Sequence, residues 1–387
     1  MKKNVMLLID SIKILWWAEK VAMDIMDLFN KNINYNMFLY SKNNESIWYL
    51  DHLKSVFNVF DYFRIKKYIK LNNIDIIHIH KLMSVTILFA IPKWKKIVMT
   101  VHDYKFCCPK LWVTKNNEQC KWWLFHFNCN RPIERNFILN IIFDFAKWTK
   151  FVINRYFVKK YVDVFLCPSR SLHDYLINSL KIPLEKVVYL PNFIEIEEWY
   201  NPNFTKIEDN RFLYVWRLSN EKWIDVAIKA IDLLVKKENI TDIYFDIIWA
   251  WPDKSSLENL VLELWLQNNI KFLWKIDNSS LSEYYEKSNW LLMPSVWLEN
   301  NPLVAIEGMK YWKTIIACNV WWYWDLVEEW KNGYLFPIWN HIELANKIKN
   351  LYKNKDLSVE MWKYWFEKLK KEFNSELFYE KLLWFYS

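Results

Sequence analysis

The chain has 387 residues, of which 26 are Trp and only two are Gly, and its 52 Lys and Arg outweigh 44 Asp and Glu for a formal net charge of +8. The length favours two domains, the 53% hydrophobic and 25% charged content excludes a disordered chain, and no apolar run approaches the roughly 18 residues of a membrane span. Average glycine usage would give roughly 27 glycines, so two cannot supply the positive-φ turns and helix caps of a fold this size. Trp and Gly together come close to that number. The composition therefore suggests that most Trp are glycine codons, UGA translated as Trp; the abundance of Lys, Asn and Ile fits an AT-rich genome. A Trp-rich protein is the alternative, and the positions of the Trp residues decide between them.

The first element is the strand Val5–Ile9. Met1-Lys2-Lys3 and the apolar run could open a signal peptide, but Asp10 interrupts it and no small-residue cleavage site follows. A cytoplasmic location is expected, and six Cys form no short-chain disulfide framework. Trp16 and Trp17 directly precede the helical stretch Ala18–Phe29, where a doubly wound fold wants glycines so that backbone N–H groups can approach phosphate. Met37–Tyr40, Ile74–Ile79 and Ile97–Val101 continue the strands. His78 and His80 share one face and lack a third metal ligand, so a structural or acceptor-side role is expected. His102 ends the next strand, a candidate for positioning or proton handling.

Cys107, Cys108, Cys120 and Cys129 fall in one stretch for which zinc is an alternative reading, but they lack the close pairing of a structural zinc site. They read as an irregular loop, and no metal or cofactor is expected. Residues 121–160 carry eight Lys and Arg against Glu134 and Asp144, beside Phe137, Ile138, Leu139, Ile141, Ile142, Phe143 and Phe145. A basic face beside an apolar one suits an anionic membrane surface. Nucleic acid and an ordinary solvated helix are the competing readings. Val164–Cys167 and Val187–Leu190 close this first series.

Pro191–Asp209 interrupts the pattern, and a second series follows: Phe212–Val215, Tyr244–Ile248, Ile270–Leu273, Leu291–Met293 and Thr314–Ala317. Helical stretches such as Val226–Lys236 and Ser256–Gln267 lie between them. Short apolar runs separated by helices indicate buried parallel strands. The expected fold is α/β, two Rossmann-like doubly wound domains facing a central cleft. Their bounds are 1–191, a linker 192–209, 210–375, and a closing helix 376–387 that crosses back to the first domain. In this half Trp223 opens a helix, Trp249 and Trp251 follow a strand, Trp312 follows a helix, and Trp321, Trp322 and Trp324 fill a loop. Few Trp are expected within helices or strands; Trp290 and Trp48 are the ones least suited to the glycine reading.

With glycine at these positions, five ordered blocks stand out. They are Trp216-Arg217-Leu218 with Lys222-Trp223-Ile224-Asp225; Trp249-Ala250-Trp251-Pro252; Phe272-Leu273-Trp274; Glu299 and Glu307 eight residues apart; and Trp321-Trp322-Tyr323-Trp324-Asp325 with Asn332-Gly333-Tyr334-Leu335-Phe336. The chain thereby resembles the retaining glycosyltransferases of family 4, which have the GT-B fold, although Asp325 stands where the family has Glu. The first half matches more loosely, through Trp16-Trp17-Ala18-Glu19 and Val101-His102-Asp103.

The resemblance implies transfer of a hexosyl-type sugar, with retention, from a nucleotide-sugar donor to a polysaccharide or lipid-linked glycan. Without a metal, the leaving diphosphate needs fixed cations and N–H dipoles. Arg217 and Lys222 can supply the cations, and the backbone around Asn300, Asn301, Leu303 and Val304 the dipoles, Pro302 having no N–H. By resemblance Glu299 meets the donor hexose, Glu307 the ribose, Ile276 the base and His102 the reacting sugar, while Trp16, Trp17 and Trp216 stand for donor-side glycines. Residues 121–160 are expected to contact the inner face of the membrane, with no nucleic-acid partner. A nucleotide-sugar epimerase on the same scaffold and a non-enzymatic membrane- or nucleic-acid-binding protein are the rivals.

Overall fold

The computed structural model describes residues 2–9, 17–31, 34–41, 59–82, 84–104, 114–115, 118–119, 149, 151–196, 207–208, 210–216, 222–248, 254–273, 276, 278–296 and 299–387. The chain divides into two compact units, Met1–Pro191 with Phe378–Ser387, and Asn192–Leu377.

The first unit is built on β1 (Lys3–Ile9), β2 (Tyr35–Ser41), β3 (Ile76–Ile79), β4 (Lys96–Thr100), β7 (Val164–Cys167) and β8 (Val187–Tyr189), ordered β2-β1-β3-β4-β7-β8. All these pairings are parallel. Val5, Met6, Leu7 and Leu8 are buried on both faces of the sheet, which is why these strands read as continuous apolar runs. A two-residue antiparallel ladder, β5 (Thr114–Lys115) with β6 (Glu118–Gln119), stands apart. The helix Ser375–Tyr386 ends in this unit: Tyr386 packs on Phe29, its hydroxyl bonds His78 Nδ1 at 2.6 Å, and Lys3 Nζ donates to its carbonyl at 3.0 Å.

The second unit orders β9 (Arg211–Val215), β10 (Tyr244–Ile248), β11 (Ile270–Leu273), β12 (Trp290–Met293), β13 (Thr314–Cys318) and β14 (Gly333–Phe336) as β11-β10-β9-β12-β13-β14, again all parallel. Gly333 has to be small, because a Cβ there would run into the carbonyl of Ile315 on the neighbouring strand. Arg211 anchors the start of β9 through Asp246 at 2.6 Å.

Among the described residues ten non-glycine positions have positive φ: Asn73, Asn210, Asn239, Asn301, Lys181 and five Trp, at 223, 265, 312, 330 and 339. Asn is tolerated in this region, whereas a bulky side chain is a genuine outlier. Two of these Trp sit at the C-terminal ends of helices in one recurring motif. After Lys254–Glu263, Trp265 N–H reaches Leu262 O and Leu266 N–H reaches Val261 O. After Leu303–Lys310, Trp312 N–H reaches Met309 O and Lys313 N–H reaches Gly308 O. This is the Schellman cap, whose left-handed residue is usually Gly. The same cap after Val59–Leu71 uses Asn73.

The sequence reading expects few Trp inside helices or strands, and a small number of the described Trp do lie there. Trp362, Trp365 and Trp384 lie within helices, and Trp290 lies within β12. A helix-interior glycine costs about 1 kcal/mol relative to Ala, so these positions do not favour glycine as the turn positions do. Trp290 also behaves as a fitted tryptophan: its Nε1 donates to Ser358 Oγ at 2.9 Å and its ring stacks on Phe212.

Candidate functional site

In the second unit the strand order reverses at β9 and β12, which lie side by side in the sheet. A doubly wound sheet binds its ligand in the crevice outside the carboxyl ends of the strands at such a point. The segment after β9 carries Trp216 and Lys222, and the segment after β12 carries Ser295, Glu299, Asn300 and Asn301. Residues more than seventy positions apart in sequence therefore meet. Lys222 Nζ forms an ion pair with Glu299 and donates to Ser295 Oγ at 3.1 Å, and all three residues are buried. The Trp216 ring lies over the ammonium, 4.7 Å from its centroid. Burial, and then the Glu299 carboxylate, raise the Tyr323 hydroxyl well above the ordinary phenol range. A buried pair of this kind stabilises little by itself, since desolvation offsets most of the attraction. It does fix a carboxylate and an ammonium in one place.

Beyond Glu299 the chain turns into the helix Leu303–Lys310. Asn301 adopts the left-handed region at φ 57°, and Asn192 Nδ2 donates to its carbonyl at 2.8 Å. Its own side-chain oxygen and nitrogen are buried with no hydrogen-bond partner among the described residues. Unsatisfied buried amides cost free energy and call for an explanation. Ala305 and Ile306 N–H close on Pro302 O, which leaves Leu303 and Val304 N–H at the positive end of the helix dipole. Glu307 stands on the same helix and accepts from the Tyr285 hydroxyl at 3.1 Å; the Tyr285 ring stacks on Tyr311. Ile276 is half-buried in the segment between β11 and the helix Asn278–Lys287.

The first unit gathers three histidines. His80 follows β3 and His102 follows β4, and the two strands are neighbours. His80 Nδ1 and His102 Nε2 are 2.8 Å apart with the rings stacked. Burial pushes His102 down to about 3, and burial with its histidine neighbours holds His80 well below the usual imidazole range. Both rings are therefore neutral at pH 7, and one donates to the other. His78 is also pushed down to about 3 by burial and then by His102, and it bridges Thr100 Oγ1 at 2.7 Å and the Tyr386 hydroxyl. It ties the sheet to the last helix.

Of the candidates named from sequence, Lys222 and Glu299 are brought into contact. Asn300, Asn301, Leu303, Val304 and Glu307 follow along the same loop and helix, with Trp216 over the lysine. His102 is in the first unit. Arg217, Trp16, residues 121–148 and all four cysteines of the 107–129 stretch lie outside the described residues, and Trp17 is described only as the first residue of its helix. Sequence reasoning missed Ser295, Tyr285 and Asn192. Ser295 offered no signal of its own, because its partner is set by the strand order. Among the described residues no three His, Cys, Asp or Glu converge as a metal site.

Residues 195–368 match the family described as Glycosyl transferases group 1, and residues 40–198 match Glycosyltransferase Family 4. An uncharacterized glycosyltransferase of Methanocaldococcus jannaschii is 27% identical over 209 residues, covering 52% of this chain and 54% of the relative. The poly(ribitol-phosphate) alpha-N-acetylglucosaminyltransferase of Staphylococcus aureus is 25% identical over 203 residues, covering 52% of this chain and 39% of its own. The matches thus span about half or less of these curated relatives. The crystal structure of HepE from Anabaena in complex with UDP and glucose superposes with a TM-score of 0.69 at 14% identity, covering 98% of both chains. The two parallel six-stranded units are those of the GT-B fold.

Proposed function

We propose that this chain, in which a family 4 domain precedes a group 1 glycosyltransferase domain, transfers a hexosyl-type sugar from a nucleotide-sugar donor with retention of configuration. The observation that carries this reading is the buried Lys222–Glu299 pair at the switch point of the second sheet, followed by the open helix end at Leu303 and Val304. A departing diphosphate needs cations and N–H dipoles already in place when its charge develops. Lys222 and Arg217 supply the first, and Leu303 and Val304 the second, without a metal. Glu299 accepts from the sugar hydroxyls, Glu307 from the ribose, and Ile276 borders the base. His102, neutral at pH 7, is the candidate for positioning the reacting sugar. Asn300 and the orphaned Asn301 amide complete the polar lining.

The proposed acceptor is an envelope polysaccharide or a lipid-linked glycan, reached from the cytoplasmic side of the membrane. Similarity to HepE, solved with UDP and glucose, supports that class of donor, and similarity to the poly(ribitol-phosphate) alpha-N-acetylglucosaminyltransferase of S. aureus supports a polymer acceptor.

The same reading takes the turn Trp as glycines in the native protein. The five left-handed Trp, the two Schellman caps and the Trp223–Trp339 pair support it. The ring centroids of that pair are 3.1 Å apart, closer than the roughly 4.5–7 Å of aromatic partners. UGA codons at these positions are expected; UGG throughout would contradict the glycine reading.

Transfer itself is tested by incubating the glycine-bearing chain with a panel of UDP-, GDP- and ADP-sugars and membrane glycolipid. The anomeric configuration of the product is then read by NMR. Product with the donor's configuration is expected. Inverted product would refute retention, and a donor epimer formed without acceptor would favour the epimerase.

A further inference from the structure

The helix Val59–Leu71 is apolar on two opposite sides. Asp61, Ile65 and Ile69 recur every fourth residue and are buried against the first unit. On the opposite side Phe60, Phe63 and Leu71 are 75%, 63% and 69% exposed, at the three- and four-residue spacings that place them in one stripe with Lys67. An amphipathic helix on a soluble surface turns charge outward, and this one turns out phenylalanine. Its exposed charges are all positive: Arg64, Lys66, Lys67 and Lys70. Its one acid, Asp61, faces inward.

The surface continues beside it. The short helix Thr86–Ala90 packs against Val59–Leu71, and its Phe89 receives Phe157 at 4.8 Å and Tyr161 at 5.6 Å from the helix at 151–161. That helix contains no acidic residue and exposes Val152, Tyr156 and Lys160. None of the residues named here is a Trp, so these side chains are the same whether turn Trp are read as Trp or as Gly.

From this placement we infer that the outward stripe of Val59–Leu71, with the exposed side of 151–161, docks on the surface of an anionic lipid bilayer. Phenylalanines enter the headgroup–acyl boundary while the lysines and arginine meet lipid phosphates. A second copy of the chain fits this face poorly, because cation would meet cation. Duplex nucleic acid would use the cations but leave the phenylalanines without an apolar partner. The inference deepens the reading of a lipid-linked acceptor, yet its test needs no sugar, so the two can fail separately.

The test is co-sedimentation of the full chain with phosphatidylcholine vesicles, with and without phosphatidylglycerol. Binding is expected to rise at least about tenfold with the anionic lipid and to fall as salt is added. The double variants Phe60→Ser/Phe63→Ser and Lys66→Glu/Lys67→Glu should each lose about tenfold, while Lys229→Glu in the second unit should lose none. Circular dichroism and thermal melting check that each variant folds; these side chains are exposed, so no loss is expected. Equal binding to both vesicle types, retention by both double variants, or a face that binds duplex DNA or a second copy instead of anionic vesicles would overturn the inference.

Discussion

Lys222 and Glu299 are buried together, so each makes the other tolerable in an apolar setting. Replacing Lys222 by Met leaves a buried carboxylate without its counter-charge, which costs about 3 kcal/mol. The double variant Lys222→Met/Glu299→Gln should recover most of that loss in a urea titration and still fail to bind UDP. Recovery of UDP binding along with stability would show the pair to be structural only. The histidines make a second residue-scale prediction. Their pKa values are lower in the folded protein than the roughly 6.5 of an exposed imidazole, so their contribution is complete above that pH and is lost as pH falls toward 3. Between pH 6.5 and 5, His78 alone should remove about 2 kcal/mol of stability. A denaturation midpoint that does not move over that interval would contradict the buried neutral rings. His102 and the two glutamates were legible in the sequence because they stand in ordered motifs. Ser295, Tyr285 and the His80–His102 contact were not, since each depends on which strands become neighbours.

At the scale of the element, the strands were legible because a parallel sheet buried on both faces leaves unbroken apolar runs; Val5–Ile9 and Thr314–Ala317 need no further signal. Helix ends were legible in a less usual way, through residues that do not belong there. Trp265 and Trp312 occupy the left-handed position of two Schellman caps, and Asn73 occupies it in a third. Trp265→Gly should therefore stabilise the chain by about 1 kcal/mol, because its indole is 81% exposed and loses little packing. A lower urea midpoint for the glycine variant would contradict this. The two-sided helix Val59–Leu71 escaped the sequence reading because its apolar residues suggest no single face. Which of them point outward is settled only by what the opposite side packs against.

Across the whole molecule, two series of strands interrupted near Pro191 were enough to indicate two doubly wound units. The reversals at β1 and β3 and at β9 and β12 were not available from the sequence, because strand order leaves no mark on local periodicity. The β9–β12 reversal gathers scattered motif residues of the second unit and places Lys222 beside Glu299. The glycine reading bears directly on that site, since the Trp216 ring lies over the Lys222 ammonium and would hinder a phosphate approaching from the same side. Titration calorimetry with UDP compares the chain as written with a chain carrying Gly at 16, 17, 216, 223, 321, 322 and 324. Binding to the glycine chain, at least about tenfold tighter than to the written one and abolished by Lys222→Met, is the expected result. Equal affinity of the two chains, or no binding to either, would contradict the account.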